Sequence, residues 1–236
     1  MSAMNEWHNI ASGRIFILGN APSLADHREL FPALGREATF SCNGMSMHPD
    51  WLGFTPTYYG VTDIREWGWL DRLVPHQWQC PAFNVQFEDW PAHDAYITVP
   101  KAPDNIQVHS HGMAGLDETL PPVPTGRITP LTLMQLIAWM GYEEMYLLGS
   151  EMTRSYCYNP EATHSVRGHE FPADKNPKHQ IAAQRCAERM RADLEAHGRA
   201  VYDCSPVGLF NGRSPQRRGV RVRQIWEYRD LAEVLA

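Results

Sequence analysis

Four stretches of this chain place small or polar residues directly after short apolar runs: Gly19-Asn20, Asn43-Gly44, Thr62-Asp63 and Gly149-Ser150-Glu151. At the ends of strands in an open α/β sheet, such residues form the crevice in which ligands bind. In Gly19-Asn20-Ala21-Pro22-Ser23-Leu24 the glycine permits a tight turn. Ser23 and the backbone N–H groups after it can meet phosphate or ribose oxygens at a helix N-terminus. The chemistry implied is nucleotide binding through backbone amides and neutral side chains. The loop is neither GxGxxG nor a Walker loop, so it supports neither a standard dinucleotide fold nor a P-loop ATPase. A second group of reactive types, Arg154, Tyr156, Tyr158, His164, Arg167 and His169, falls within the polar stretch 152–175, which reads as a lid or active-site loop. His179 follows shortly after. A histidine suits general-base work near neutral pH, and tyrosine or arginine side chains suit stabilising developing negative charge without a metal. His109-Ser110-His111 is the one tight histidine pair, in a loop-like stretch, and no metal site is expected from it.

The elements that must position these residues follow from apolar patterning. Arg14–Leu18 reads as a buried strand, followed by the loop 19–24 and a helical pattern to about Leu34, with Ser23 or Asp26 as cap and Gly35 as stop. Further strands are expected at Ala38–Cys42, Thr57–Thr62, Cys80–Gln86, Tyr96–Val99, Glu144–Gly149 and Ala200–Asp203. Helices are expected at Asp63–Leu73, from Thr129-Pro130 to Gly141, at Asn176–His197 and, briefly, at Leu231–Leu235. Trp67 and Trp69 read as aromatic area buried by their helix, and Met134 and Met140 as part of a core stripe. Pro100–Thr125, rich in Pro, Gly and His, reads as a long loop. Strands alternating with helices at this spacing predict one Rossmann-like α/β domain: a mostly parallel sheet with helices on both faces and a lid-like loop at about 152–175. The whole of 1–236 is taken as a single nucleotide-binding domain, its core about 14–210 and its basic tail 211–236.

Composition narrows the classes. Of 236 residues, 43% are hydrophobic and 20% charged, as in an ordinary globular protein. The net charge of −6 argues against general affinity for nucleic acid. No apolar run is long enough for a membrane span, and Met1–Glu6 has no signal-like character, so a cytoplasmic protein is expected. The arginines at 213, 217, 218, 221 and 223 form a basic stretch: a solvated surface, or a site for an anionic glycan, nucleotide phosphate or lipid headgroup at the inner face of the membrane. Five scattered cysteines without a CxxC pair suit reduced thiols.

The segment Ile17-Leu18-Gly19-Asn20-Ala21-Pro22-Ser23-Leu24 resembles the N-terminal signature of the bacterial sialyltransferases of glycosyltransferase family 42, and equally that of the 6-hydroxymethyl-dihydropterin diphosphokinase-like (MptE-like) group. Ser41-Cys42-Asn43, the segment from Met140 to Glu151, and Tyr202-Asp203-Cys204-Ser205-Pro206 resemble further family segments in the same order, so the resemblance spans roughly 14–210. It implies that Asn20, Ala21, Ser23 and Asn43 line a cytidine monophosphate (CMP) pocket, with Thr129 beside the donor sugar; the strand-end reading adds Gly19, Asp63 and Glu151 around the nucleotide. It also implies that Tyr156 and Tyr158 bond the departing phosphate, and that either His169 or His179 is the general base. Ala21 stands where the family has Gly, Glu151 where it has Asp, and Arg127 lies near the sugar position.

The expected activity is transfer of an acidic sugar, sialic acid or a relative, from a CMP-activated donor to a glycan, without a required cofactor. A pyrophosphokinase using ATP and magnesium, and a non-catalytic nucleotide-binding protein, are the alternatives. Expected partners are the nucleotide-sugar and a glycan or small-molecule acceptor, with a homo-oligomer left open and no nucleic acid.

Overall fold

The structure is a computed structural model that describes residues 4–62, 78–86, 94–102, 108, 112–113, 123–150, 157, 177–213 and 222–236. Eight strands form one sheet: β1 (Arg14–Leu18), β2 (Thr39–Cys42), β3 (Tyr58–Thr62), β4 (Ala82–Gln86), β5 (Ile97–Pro100), β6 (Glu144–Leu148), β7 (Ala200–Asp203) and β8 (Glu227–Tyr228). Their order is β5-β4-β3-β2-β1-β6-β7-β8, with every neighbouring pair parallel. The chain winds outward from β1 to β5, then returns to the other side of β1 as β6. The strand order therefore reverses between β1 and β6, the place where an open sheet leaves a crevice at its carboxyl edge.

Both faces of the sheet are covered, so its central strands are apolar almost throughout. β1 sends Ile15 and Ile17 to one face and Phe16 and Leu18 to the other; β6 does the same with Met145 and Leu147 against Tyr146 and Leu148. The first face is covered by α3 (Thr129–Trp139) and α4 (Pro177–Ala196), through Leu133, Leu136, Ile137, Ala183, Ala187 and Met190. Met134 and Met140 are fully buried there, as the stripe predicted. The second face is covered by residues 22–34 and by α5 (Leu231–Leu235), through Leu24, Phe31, Leu34 and Leu231. Two short helices, α1 (Phe31–Leu34) and α2 (Pro49–Leu52), complete the described helices.

The sequence reading differs from the structure in instructive places. The helix expected after the first loop is a 3-10 helix over Pro22–Leu30 that becomes α-helical only at α1. Pro32 has no N–H to give the Arg28 carbonyl, which instead accepts from Phe31 three residues on. Neither Ser23 nor Asp26 caps it: the cap is Ala21, without a side-chain bond, and Ser23 lies buried inside the first turn. Gly35 follows α1 in a right-handed conformation. The Asn43-Gly44 turn is a 3-10 helix over Asn43–Met47. β4 starts at Ala82 because Pro81 has no N–H for the ladder. Part of the expected loop 100–125 lies along the sheet edge, with Val123 N–H bonded to Pro100 O at 2.8 Å and Ala102 N–H to Val123 O at 3.0 Å. The stretch read as a tail contains β8, which was not expected, as well as α5 at its predicted bounds. The helix expected at Asp63–Leu73, with Trp67 and Trp69, lies outside the described residues. Among the described residues no helix is long and apolar enough to cross a membrane.

Candidate functional site at the carboxyl edge

Strand register brings the first two candidates together. β1 and β2 pair as Phe16↔Thr39, Ile17↔Phe40 and Leu18↔Ser41, so Asn20 and Asn43 both follow the carboxyl ends of adjacent strands. β1 and β6 pair through Leu18↔Leu148, which puts Gly19 opposite Gly149 and Asn20 opposite Ser150. The ladder continues past the strand ends: Gly19 N–H bonds Leu148 O at 2.8 Å and Ala21 N–H bonds Gly149 O at 2.9 Å. Cys157 N–H bonds Asn20 O, also at 2.9 Å. The two loops touch so closely that a Cβ on Gly19 would overlap the Gly149 carbonyl, while Gly149 itself is left-handed at φ 61°. Both positions require glycine, for space at the first and for backbone freedom at the second.

Asn43 anchors the neighbouring strand ends. Its backbone is left-handed (φ 49°), a region asparagine tolerates better than most residues. Its Nδ2 donates to Thr129 Oγ1 at 3.0 Å, and Thr129 Oγ1 lies 2.8 Å from Thr62 Oγ1. Tyr59 donates its hydroxyl to Asn43 O. Ends of β2 and β3 and the first residue of α3 are thus tied into one polar cluster. Helix α3 can approach because Gly60 faces it: a Cβ there would meet Phe40 at 2.7 Å and Leu133 at 2.8 Å.

The run into α3 is also strained. Arg127, half-buried, is left-handed at φ 70°, which costs roughly 1–2 kcal/mol for a residue with a Cβ. The turn is held by Gly126 N–H to Thr132 Oγ1 at 3.0 Å, Arg127 N–H to Thr125 Oγ1 at 3.2 Å, and Gln135 Nε2 to Pro124 O at 2.8 Å.

Among the described residues two acceptors in this region lack donors: Asn20 Oδ1 and Asn43 Oδ1 are buried with no hydrogen-bond partner there. An unsatisfied buried acceptor costs about 1–3 kcal/mol, so a donor brought to either oxygen would be stabilising. Burial pushes the neighbouring Cys42 thiol up to about 12, with Cys157 adding to the shift, so Cys42 is an uncharged, inert wall here.

The remaining candidates fall in three groups. Gly19, Asn20, Ala21, Ser23, Asn43 and Thr129 gather at the carboxyl edge as described. His179 is exposed in the first turn of α4. That helix must run from the carboxyl to the amino edge, since it joins β6 to the parallel β7. Its Cys186 Sγ donates to Thr125 O at 3.9 Å, near the start of α3. His179 lies seven residues earlier, about 10 Å further along the axis and beyond the carboxyl edge. Asp63, Glu151, Tyr156, Tyr158 and His169, with Arg154, Arg167 and the His109/His111 pair, lie outside the described residues, as does all of 152–175 except Cys157. Of the basic stretch, Arg213 sits 3.4 Å above the Tyr228 ring and Arg223 pairs with Glu188 at 2.8 Å. Thr62 is the participant that sequence reasoning passed over for its neighbour Asp63. The signal was alternation, which puts Tyr58, Gly60 and Thr62 on the α3 side of β3. Among the described residues, no three His, Cys, Asp or Glu side chains gather as a metal site would require.

No protein-family model matches the chain, and no curated protein matches it by sequence. Among solved structures it is similar to the MAf glycosyltransferase from Magnetospirillum magneticum AMB-1, with TM-score 0.50 and 18% identity over 84% of this chain and 32% of that one. The chain thus spans about a third of that protein's length. It is also similar to the sialyltransferase CST-II in complex with trisaccharide acceptor and CMP, with TM-score 0.51 and 14% identity over 92% of this chain and 91% of that one. The sialyltransferase CstII from Campylobacter jejuni in complex with cytidine-5'-monophosphate aligns at TM-score 0.44 and 12% identity, over 90% of this chain and 86% of that one. Nothing in these likenesses supports the pyrophosphokinase alternative. What the chain shares with the first two is a glycosyltransferase-like fold.

Proposed function

We propose that this chain transfers an acidic sugar from a CMP-activated donor to a hydroxyl of a glycan acceptor. The observation that carries the proposal is the pair of asparagines at the carboxyl ends of the adjacent strands β1 and β2, beside the switch point, each with a buried Oδ1 that has no partner among the described residues. Such acceptors suit the amino group of a cytosine and the hydroxyls of a ribose. A glycosyltransferase-like fold, one of whose solved examples holds CMP and a trisaccharide acceptor, supports the same reading.

In the proposed reaction the acceptor oxygen attacks the anomeric carbon while the bond from that carbon to the phosphate oxygen breaks. CMP departs with the electron pair, and the acceptor proton passes to a histidine, His169 or His179. Such a base contributes typically ~10²–10⁴-fold. Asn20, Ala21, Ser23 and Asn43 hold the nucleotide, and Thr129 meets the donor sugar. Tyr156 and Tyr158 bond the leaving phosphate, helped by Arg154 or Arg167. The main-chain bond from Cys157, which separates the two tyrosines in sequence, to Asn20 O supports their assignment to the phosphate.

Thermal denaturation with nucleotides tests the proposal. CMP and CTP should raise Tm more than ATP or GTP does, with or without magnesium. Stabilisation by ATP with magnesium equal to that by CMP would overturn it in favour of a kinase-type site. No stabilisation by any nucleotide would remove the carboxyl-edge site altogether.

A further inference from the structure

β8 is two residues long and pairs only with Tyr202 and Asp203, so the ladder beside β7 stops short of Ala200 and Val201. A notch remains between that half of β7, the C-terminal half of α4 and the segment leading into Glu227, with a volume of about 560 Å³. Small-molecule sites typically span roughly 300–1,000 Å³. The notch lies at the amino end of β7, the opposite edge of the sheet from Asn20 and Asn43.

Its polar groups are unbalanced. Both acids on its rim are already paired, Glu195 with Arg191 at 2.7 Å and Glu227 with Arg229 at 3.0 Å. Its donors are not all spent. Arg199 gives Nη1 to Tyr142 O at 3.2 Å and makes no ion pair among the described residues. Burial lowers its pKa against the opposing pull of the Glu143 carboxylate, so its charge sits where water serves it poorly. The Trp226 indole N–H is buried and has no acceptor among the described residues. Ala200 and Cys204 give their N–H groups to β6, so Val201 N–H points the other way, toward the notch. The carbonyl that a continued ladder would offer it, Ile225 O, takes Arg191 Nη1 at 2.9 Å.

We propose that this notch is a second ligand site, which binds a carboxylate or phosphate monoester on a small planar apolar body through Arg199 and the Trp226 indole. An acceptor-only anion satisfies the Trp226 N–H and the Arg199 N–H groups not given to Tyr142 O, and Leu194 and Ile225 supply apolar wall for the body.

Calorimetric titration of the full chain with benzoate, phenyl phosphate and the neutral benzyl alcohol tests this. At least one of the two anions should bind saturably at one per chain, and which one does so separates carboxylate from phosphate recognition. Benzyl alcohol should bind at least about tenfold more weakly, since bonds to charged groups dominate. Arg199→Gln should weaken the anion by about tenfold or more, and Trp226→Phe by a smaller factor, both leaving CMP-induced stabilisation unchanged. Because Arg199 is only half-buried, its variant carries the test even where Trp226→Phe folds poorly. Saturable binding by neither anion, equal binding of benzyl alcohol, or undiminished binding by Arg199→Gln would overturn the proposal.

Discussion

Asn43 meets two demands at once, a left-handed backbone and a carboxamide aimed at Thr129, and substitution can separate them. Asn43→Gly keeps the backbone comfortable and deletes the side chain; Asn43→Ala deletes the same bond and also strains the chain by about 1–2 kcal/mol. Chemical denaturation should therefore rank wild type at or above Gly, and Gly above Ala, while both variants lose CMP-induced stabilisation. A Gly variant that keeps the full nucleotide shift would remove Asn43 from the site. The threonines divide similarly. Thr129→Val leaves the part-buried Asn43 Nδ2 without its acceptor, at about 1 kcal/mol. Thr62→Val leaves that bond intact and should cost less, which paired urea curves would show. Equal losses would mean that the cluster is packing rather than a hydrogen-bonded chain. None of this coupling was legible in the sequence. Asn43 and Thr129 stand 86 positions apart, and only the return of the chain across the sheet brings them together.

At the scale of elements, much more was readable. Seven strands were predicted within two residues of their ends, because buried parallel strands are runs of apolar and β-branched residues bounded by Gly, Pro or Asn. β8 was missed because Glu227-Tyr228 is no such run; its pairing is imposed by β7. The 3-10 helix at Pro22–Leu30 was read only as helical, since apolar spacing does not separate the two helix types and the decisive feature is a proline placed ten residues on. Glycine placement gives the sharpest test at this scale. Gly19→Ala would push a Cβ into the Gly149 carbonyl, a backbone atom whose only escape is to part the β1 and β6 loops. Gly60→Ala meets side chains instead, Phe40 and Leu133, which can turn aside at about 1–3 kcal/mol. Gly19→Ala should therefore abolish nucleotide stabilisation even in whatever fraction folds, whereas Gly60→Ala should lower Tm and keep part of the nucleotide response. The reverse pattern would place the ligand away from the β1–β6 crevice.

Across the whole molecule the thiols make stability depend on alkaline pH, and the sign follows from burial. All five cysteines are free, as their scattered placement predicted, and four of them are buried. Burial, the largest cause in each case, pushes Cys42 and Cys204 up to about 12 and Cys80 up to about 11; Asp203 adds to the shift of Cys204. Burial likewise raises Tyr142 and Tyr146. An unfolded thiol ionises near an ordinary ~8.5. Below that pH both states hold their protons and the contribution is constant. Between about 9 and 12 the unfolded chain gives up protons that the folded chain keeps, so stability falls as pH rises, by at most about 1.4 kcal/mol per pH unit for each thiol. Urea midpoints taken at pH 7.5, 8.5, 9.5 and 10.5 should be level at first and then decline. Cys42→Ala should be less stable at pH 7.5 because of the cavity it leaves, yet decline less steeply above pH 9 because one raised thiol is gone. A variant that falls as steeply as wild type would show that Cys42 ionises in the folded chain as readily as in the unfolded one. The β2 end beside Asn43 would then be open to water, and the dry wall assigned to the nucleotide crevice would not exist.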